Sequence, residues 1–121
     1  MIIAIDYDDT IVKCDFPRAG TEMPGAIETL GKMQDAGHFI ILWTCREDEP
    51  LRIALDFLKE KGFTPDAVNE HDPAAVKRYL EVHPGMKISR KIYAHLYIDD
   101  KHLGGIPDWP RIGRMVLEGE L

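Results

Sequence analysis

Apolar positions along the chain gather into short unbroken runs, separated by stretches in which they recur with a helical period. The first run, Ile2 to Asp6 (IIAID), is continuous rather than alternating, the pattern of a strand covered on both faces. His38 to Thr44 (HFIILWT) repeats that pattern, Asp66 to Asn69 is a shorter candidate, and Ile92 to Ile98 is the last, interrupted by His95. Between the runs, Ile27, Leu30 and Met33 share one face of a helix that opens with Pro24 in its first turn and stops at Gly37. Leu51, Leu55 and Leu58 do the same over Glu47 to Lys61, with Gly62 as the stop. Asp72 is placed to cap a third helix with Pro73 at its first position, running to about Leu80, and a fourth is expected from about Trp109 to Glu118. Tyr7 to Met23 shows no period and reads as a loop.

Strands alternating with helices predict a mainly parallel sheet between helix layers, a Rossmann-like α/β/α three-layer sandwich. The 121 residues fit one domain, 1–121, with no linker, repeat or low-complexity tract to divide it. Apolar residues at 45% and charged residues at 30% suit an ordinary globular chain. The net charge of −6, with no basic tail, disfavours nucleic acid and anionic membrane as partners. Cys14 and Cys45, far apart and without clustered histidines, read as free thiols rather than a disulfide framework or zinc site. The start MIIAIDYDD lacks a basic leader segment, and no apolar stretch has the length of a membrane span, so a cytoplasmic protein is expected.

In parallel sheets the ligand crevice lies beyond the carboxyl ends of the strands. Asp6, Asp8, Asp9 and Thr10 follow the first strand, Thr44 ends the second, and Asp99 and Asp100 end the last, with Lys91 just before it. Singly, each is an ordinary turn or cap residue. Jointly, they would bring four carboxylates, Asp6, Asp8, Asp99 and Asp100, to one edge. Each unit-charge pair at 4 Å costs about 4 kcal/mol at an effective dielectric near 20, so the cluster needs a divalent cation, a shared proton, or both. Mg²⁺ suits such a set, with a substrate phosphate completing its oxygens. Lys91 and the Thr44 hydroxyl would then serve the phosphoryl oxygens.

The set Asp6-Tyr7-Asp8-Asp9-Thr10 behind an apolar strand, Thr44 after FIILW, a lysine, and Asp99-Asp100 after LYI resembles the ordered motifs of haloacid dehalogenase-like (HAD) phosphohydrolases. The resemblance covers most of the chain and implies a Mg²⁺-dependent phosphatase. It implies Asp6 as the nucleophile that becomes an aspartyl-phosphate, and Asp8 as general acid and then base, its backbone carbonyl facing the metal. Thr10 would support the loop, Asp99 would ligate the metal, and Asp100 would ligate it or orient the lysine. Lys91 is preferred as that lysine and Lys87 is the reserve. Arg46 has two open readings, substrate binding or helix entrance, and Asp9 is a spacer. Ile11 to Met23 is too short for a folded cap, which implies a capless member with an open site, and a homo-oligomer is one way of covering it. In LGGIPDW, positions 103 to 109, Trp109 either lines a substrate entrance or packs, with packing the stronger reading.

Three other readings remain in view. A receiver domain shares the residue types but puts its acidic pair first and its phosphorylated Asp later, against the order here. A HAD-like fold that only binds phosphate or a partner would keep the motifs without turnover. A phosphotransferase, or a phosphatase acting on a phosphoprotein or nucleic-acid end, is compatible with an open site, although a small phosphorylated molecule is the expected substrate.

Overall fold

The computed structural model describes residues 1–121, arranged as a four-stranded parallel sheet flanked by four helices. The elements run β1 (Ile2–Ile5), β2 (Val12–Lys13), β3 (Thr21–Glu22), α1 (Ala26–Asp35), β4 (Phe39–Leu42), α2 (Asp48–Glu60), β5 (Ala67–Val68), α3 (Pro73–Val82), β6 (Leu96–Ile98) and α4 (Trp109–Leu117). The sheet order is β5-β4-β1-β6, so the chain leaves β1 on one side for β4 and returns on its other side as β6. That reversal of direction puts the switch point of a Rossmann-like fold at the end of β1.

Register follows from the side-chain alternation. Ile5 pairs with Leu42 on one side and Ile98 on the other, so the strands end level with one another. Ile3, Ile5, Ile40 and Leu42 form one core cluster with Leu30 and Met33 of α1, Ala54 and Leu58 of α2, and Trp109, Ile112 and Val116 of α4. The opposite parity, Ile2 and Ile41, packs with Ile92, beside Ala75 of α3 and Ala94. The second layer is thin: α3 has no fully buried residue. No helix is long and apolar enough to cross a membrane.

Four sequence expectations change in detail. The expected loop 7–23 contains the β2–β3 antiparallel hairpin, a small flap rather than a cap domain. Pro24 lies outside α1, which begins after Gly25 in the left-handed region at φ 78°. α3 extends two residues past Leu80, to Val82. The last strand starts at Leu96, not Ile92, for a physical reason. Leu96 already pairs with Ile3, and the His95 N–H reaches the Ile2 carbonyl, so β1 has little left to pair with. The preceding backbone is satisfied by side chains instead: the Tyr93 N–H donates to His71 Nδ1 and the Ile92 carbonyl accepts from the Tyr97 hydroxyl.

Candidate active site

Three carboxylates meet at the ends of β1 and β6. One oxygen each of Asp6, Asp99 and Asp100 lies within 4.8 Å of the others. The sheet itself sets the meeting point, because the Asp6 N–H continues the ladder to the Ile98 carbonyl at 3.0 Å. Thr10 joins the two strand ends. Its Oγ1 donates toward Asp6 Oδ2 at 3.2 Å and accepts from the Asp100 N–H at 3.0 Å, with Asp100 Oδ1 at 3.5 Å. Thr10 is buried, so it is a brace for the loop, as expected.

Asp6 is pushed up to about 7. Burial is the main cause, followed by a hydrogen bond with Asp100 and the charge of Asp99, against the Tyr7 N–H, which favours the anion. For Asp100, burial acts upward but is outweighed by hydrogen bonds from Asp6 and Lys101, so its carboxyl lies below the usual range. The two carboxyls are thus pushed in opposite directions, Asp6 toward its protonated form and Asp100 toward the anion. Three hard oxygen donors within 4.8 Å of one another, one of them pushed toward its protonated form, are a set that a small divalent cation fits.

The flanking aspartates divide differently from the sequence expectation. Asp8 is not in the trio as a carboxylate. Both its oxygens accept from Arg46, Nε to Oδ2 at 2.8 Å and Nη2 to Oδ1 at 2.7 Å. Asp9 is in the left-handed region at φ 59°, and its Oδ1 accepts from the Cys14 N–H, anchoring the start of the flap. It is the spacer that was expected.

Arg46 resolves toward structure. It is 2% exposed, stacks on Tyr7 and lies over Phe16, and its remaining N–H groups reach the carbonyls of Pro17, Arg18 and Pro50. A guanidinium has five N–H donors, and all five are used. It therefore cannot also bind substrate, and instead ties Asp8 to the flap and to α2. Thr44 sits beyond β4, with its N–H held by Asn69 Oδ1 and its Oγ1 accepting from the Arg46 N–H, which leaves its own proton free to donate.

Lys91 is not brought to the carboxylates. It lies on the thin face of the sheet with Nζ 5.2 Å from the Tyr97 ring centre, because the segment before β6 crosses that face instead of pairing. Lys87 makes no ion pair either. The cation at the trio is Lys101, overlooked in the sequence although adjacent to the acidic pair. Its Nζ is 3.2 Å from Asp100 Oδ2, and its N–H donates to Asp99 Oδ1. The side chain is 84% exposed and free to swing. Trp109 packs, as favoured, and its Nε1 donates to the Thr10 carbonyl at 2.8 Å, fastening the loop from below. Cys14 and Cys45 are free and exposed.

No family model matches the chain, and no curated protein matches it. Among solved structures, a conserved protein from Bacteroides thetaiotaomicron superposes with a TM-score of 0.84 at 42% identity, covering 100% of this chain and 93% of that one. The chain belongs to the family of that protein. The two share one fold over nearly their full lengths, so the parallel sheet is a family architecture.

Proposed function

We infer that the protein is a HAD-type, Mg²⁺-dependent phosphohydrolase acting on phosphomonoesters. The observation that carries this reading is the convergence of Asp6, Asp99 and Asp100 at the switch point of the sheet, braced by Thr10. A carboxylate there would stand at the end of a central strand held on both sides by the sheet. Asp6 would form a bond to phosphorus as the ester oxygen leaves with a proton, and water would then cleave the aspartyl-phosphate to release inorganic phosphate. Mg²⁺ on the Asp6, Asp99 and Asp100 oxygens would supply neutralisation of nucleophile and phosphate charge. Lys101 and the Thr44 hydroxyl are the available cation and donor for the phosphoryl oxygens. Asp8 would be the acid and base, released from Arg46 when the leaving group arrives.

A second reading, phosphate binding without turnover, is favoured by one observation: both Asp8 oxygens are already engaged. Release of phosphate from para-nitrophenyl phosphate separates the two. The hydrolase reading expects release that needs Mg²⁺, stops on chelation and is abolished in Asp6→Asn. Release that survives either treatment, or no release with any phosphomonoester, would sink it.

A further inference from the structure

Away from the strand ends, a cleft of about 590 Å³ lies between α3 and residues 88–95 on the thin side of the sheet. Its volume is that of a small-molecule site, and its walls are mostly apolar. Val76, Val82 and Ile88 line it, with the rings of Tyr79 and Tyr93. The polar side chains lining it are Arg78, Ser89 and three histidines, of which His83 packs its ring against Tyr79 and Ser89 gives its hydroxyl proton to the Lys91 carbonyl. His95 Nδ1 accepts the Ile2 N–H at 2.8 Å, so its proton is on Nε2 and that nitrogen is a donor. His71 is spent as a bolt, accepting from the Tyr93 N–H and donating to the Ser89 carbonyl. Arg78 also lines the cleft and makes no ion pair or hydrogen bond within the chain. No Asp or Glu lines it, in a chain where 21 acidic residues outnumber 15 Lys and Arg.

We propose that this cleft is a second binding site, for a small anion carried on a flat apolar or aromatic body. The rings and aliphatic walls take the body, and Arg78 with the His95 Nε2–H takes the anionic head. The absence of any carboxylate repels no anion and leaves a cation without a partner. The site does not depend on the chemistry at Asp6.

Amide-resolved NMR titration of the full chain tests this with probes of one shape and different charge: 2-naphthoate, 2-naphthalenemethanol and 2-naphthylmethylammonium. Naphthoate should shift amides of residues 75–83 and 88–95 and bind at least tenfold more tightly than the ammonium probe. Arg78→Gln should weaken naphthoate at least fivefold without changing the neutral alcohol, and Arg78→Lys should recover part of the loss. Arg78 is exposed, so these variants fold. A fourth probe, 2-naphthyl phosphate presented to Asp6→Asn, assigns the head group: tighter binding than naphthoate indicates phosphate, weaker indicates carboxylate. Equal affinity for the three charge types, shifts outside these segments, or indifference to Arg78→Gln would overturn the proposal. So would a concentration-dependent dimer that Val82→Glu dissolves, with no probe bound, since the same face would then be a contact between two copies.

Discussion

Lowering the pH from 7.5 to 4.5 should stabilise the metal-free protein, the reverse of ordinary acid denaturation. The cause is Asp6, whose pKa rises from 3.8 in the unfolded chain to about 7 in the fold, through burial first and then Asp100 and Asp99. A raised carboxyl pKa means the folded state binds the proton more tightly. Its stabilisation is complete below about pH 4 and is lost as pH rises through about 7. Roughly three units at about 1.4 kcal/mol each set a ceiling of about 4 kcal/mol. The carboxyl is only half-buried and water screens it, which brings the expected effect to about 2 kcal/mol. With an m value of about 2 kcal/mol/M, the urea midpoint should move about 1 M. Asp100, whose pKa is lowered, keeps its full contribution above about pH 3.8 and loses it only as pH falls further, so it leaves this window alone. His38, lowered by burial, pulls the opposite way, and Asp6→Asn keeps it. The difference between the wild-type and Asp6→Asn profiles therefore isolates Asp6. If the two urea profiles run parallel from pH 4.5 to 7.5, the raised pKa of Asp6 is wrong, and with it the electrostatic case for a cation.

The remaining predictions concern the supports of the site. Arg46→Ala leaves Asp8 and three carbonyls without their donor and should cost about 3–5 kcal/mol in urea denaturation, with faster proteolysis of residues 12–22; a loss under 1 kcal/mol would show that the clamp is idle. Trp109→Phe keeps the ring's packing but drops the bond to the Thr10 carbonyl, for a loss of about 1–3 kcal/mol by thermal denaturation. Gly20→Ala should destabilise by more than about 1 kcal/mol, because its φ is +86° and a Cβ would lie 2.4 Å from the Lys13 carbonyl oxygen, and limited proteolysis should then cut the hairpin first.

The strands of the sheet were legible because burial on both faces writes itself as unbroken apolar runs, as in IIAI and FIIL. Their ends were legible for the same reason: Asp6, Thr44 and Asp99 stand where the runs stop. The trio followed from topology, since a parallel sheet brings those ends level. What stayed hidden depended on backbone partners rather than on composition. Ile92 to His95 has strand-like residues, yet β1 is too short to pair them, so Lys91 went to the sheet's face. The hairpin in 11–23 has only two residues per strand, below any readable alternation. Arg46 stayed open between substrate binding and helix entrance, because charge beside a motif fits either, and only its five donors' partners decide it. Lys101 was in plain view, but a lysine after an acidic pair carries no spacing signal of its own.

Arg46 also fixes what the proposed chemistry must do. A guanidinium donates and never accepts, so a proton on Asp8 cannot point into the Arg46 fork and can use only the lone pair that each fork bond leaves free. An acid at Asp8 would therefore be freer to face a leaving group once one of those bonds is given up. The same guanidinium holds the Pro17 and Arg18 carbonyls, so loosening its grip on Asp8 also loosens the flap. Motion of the flap and availability of the acid would then be linked. In a capless fold this is a reason for the hairpin to exist: it is too small to enclose a substrate, but it is tied through one buried side chain to the residue that would serve the leaving group.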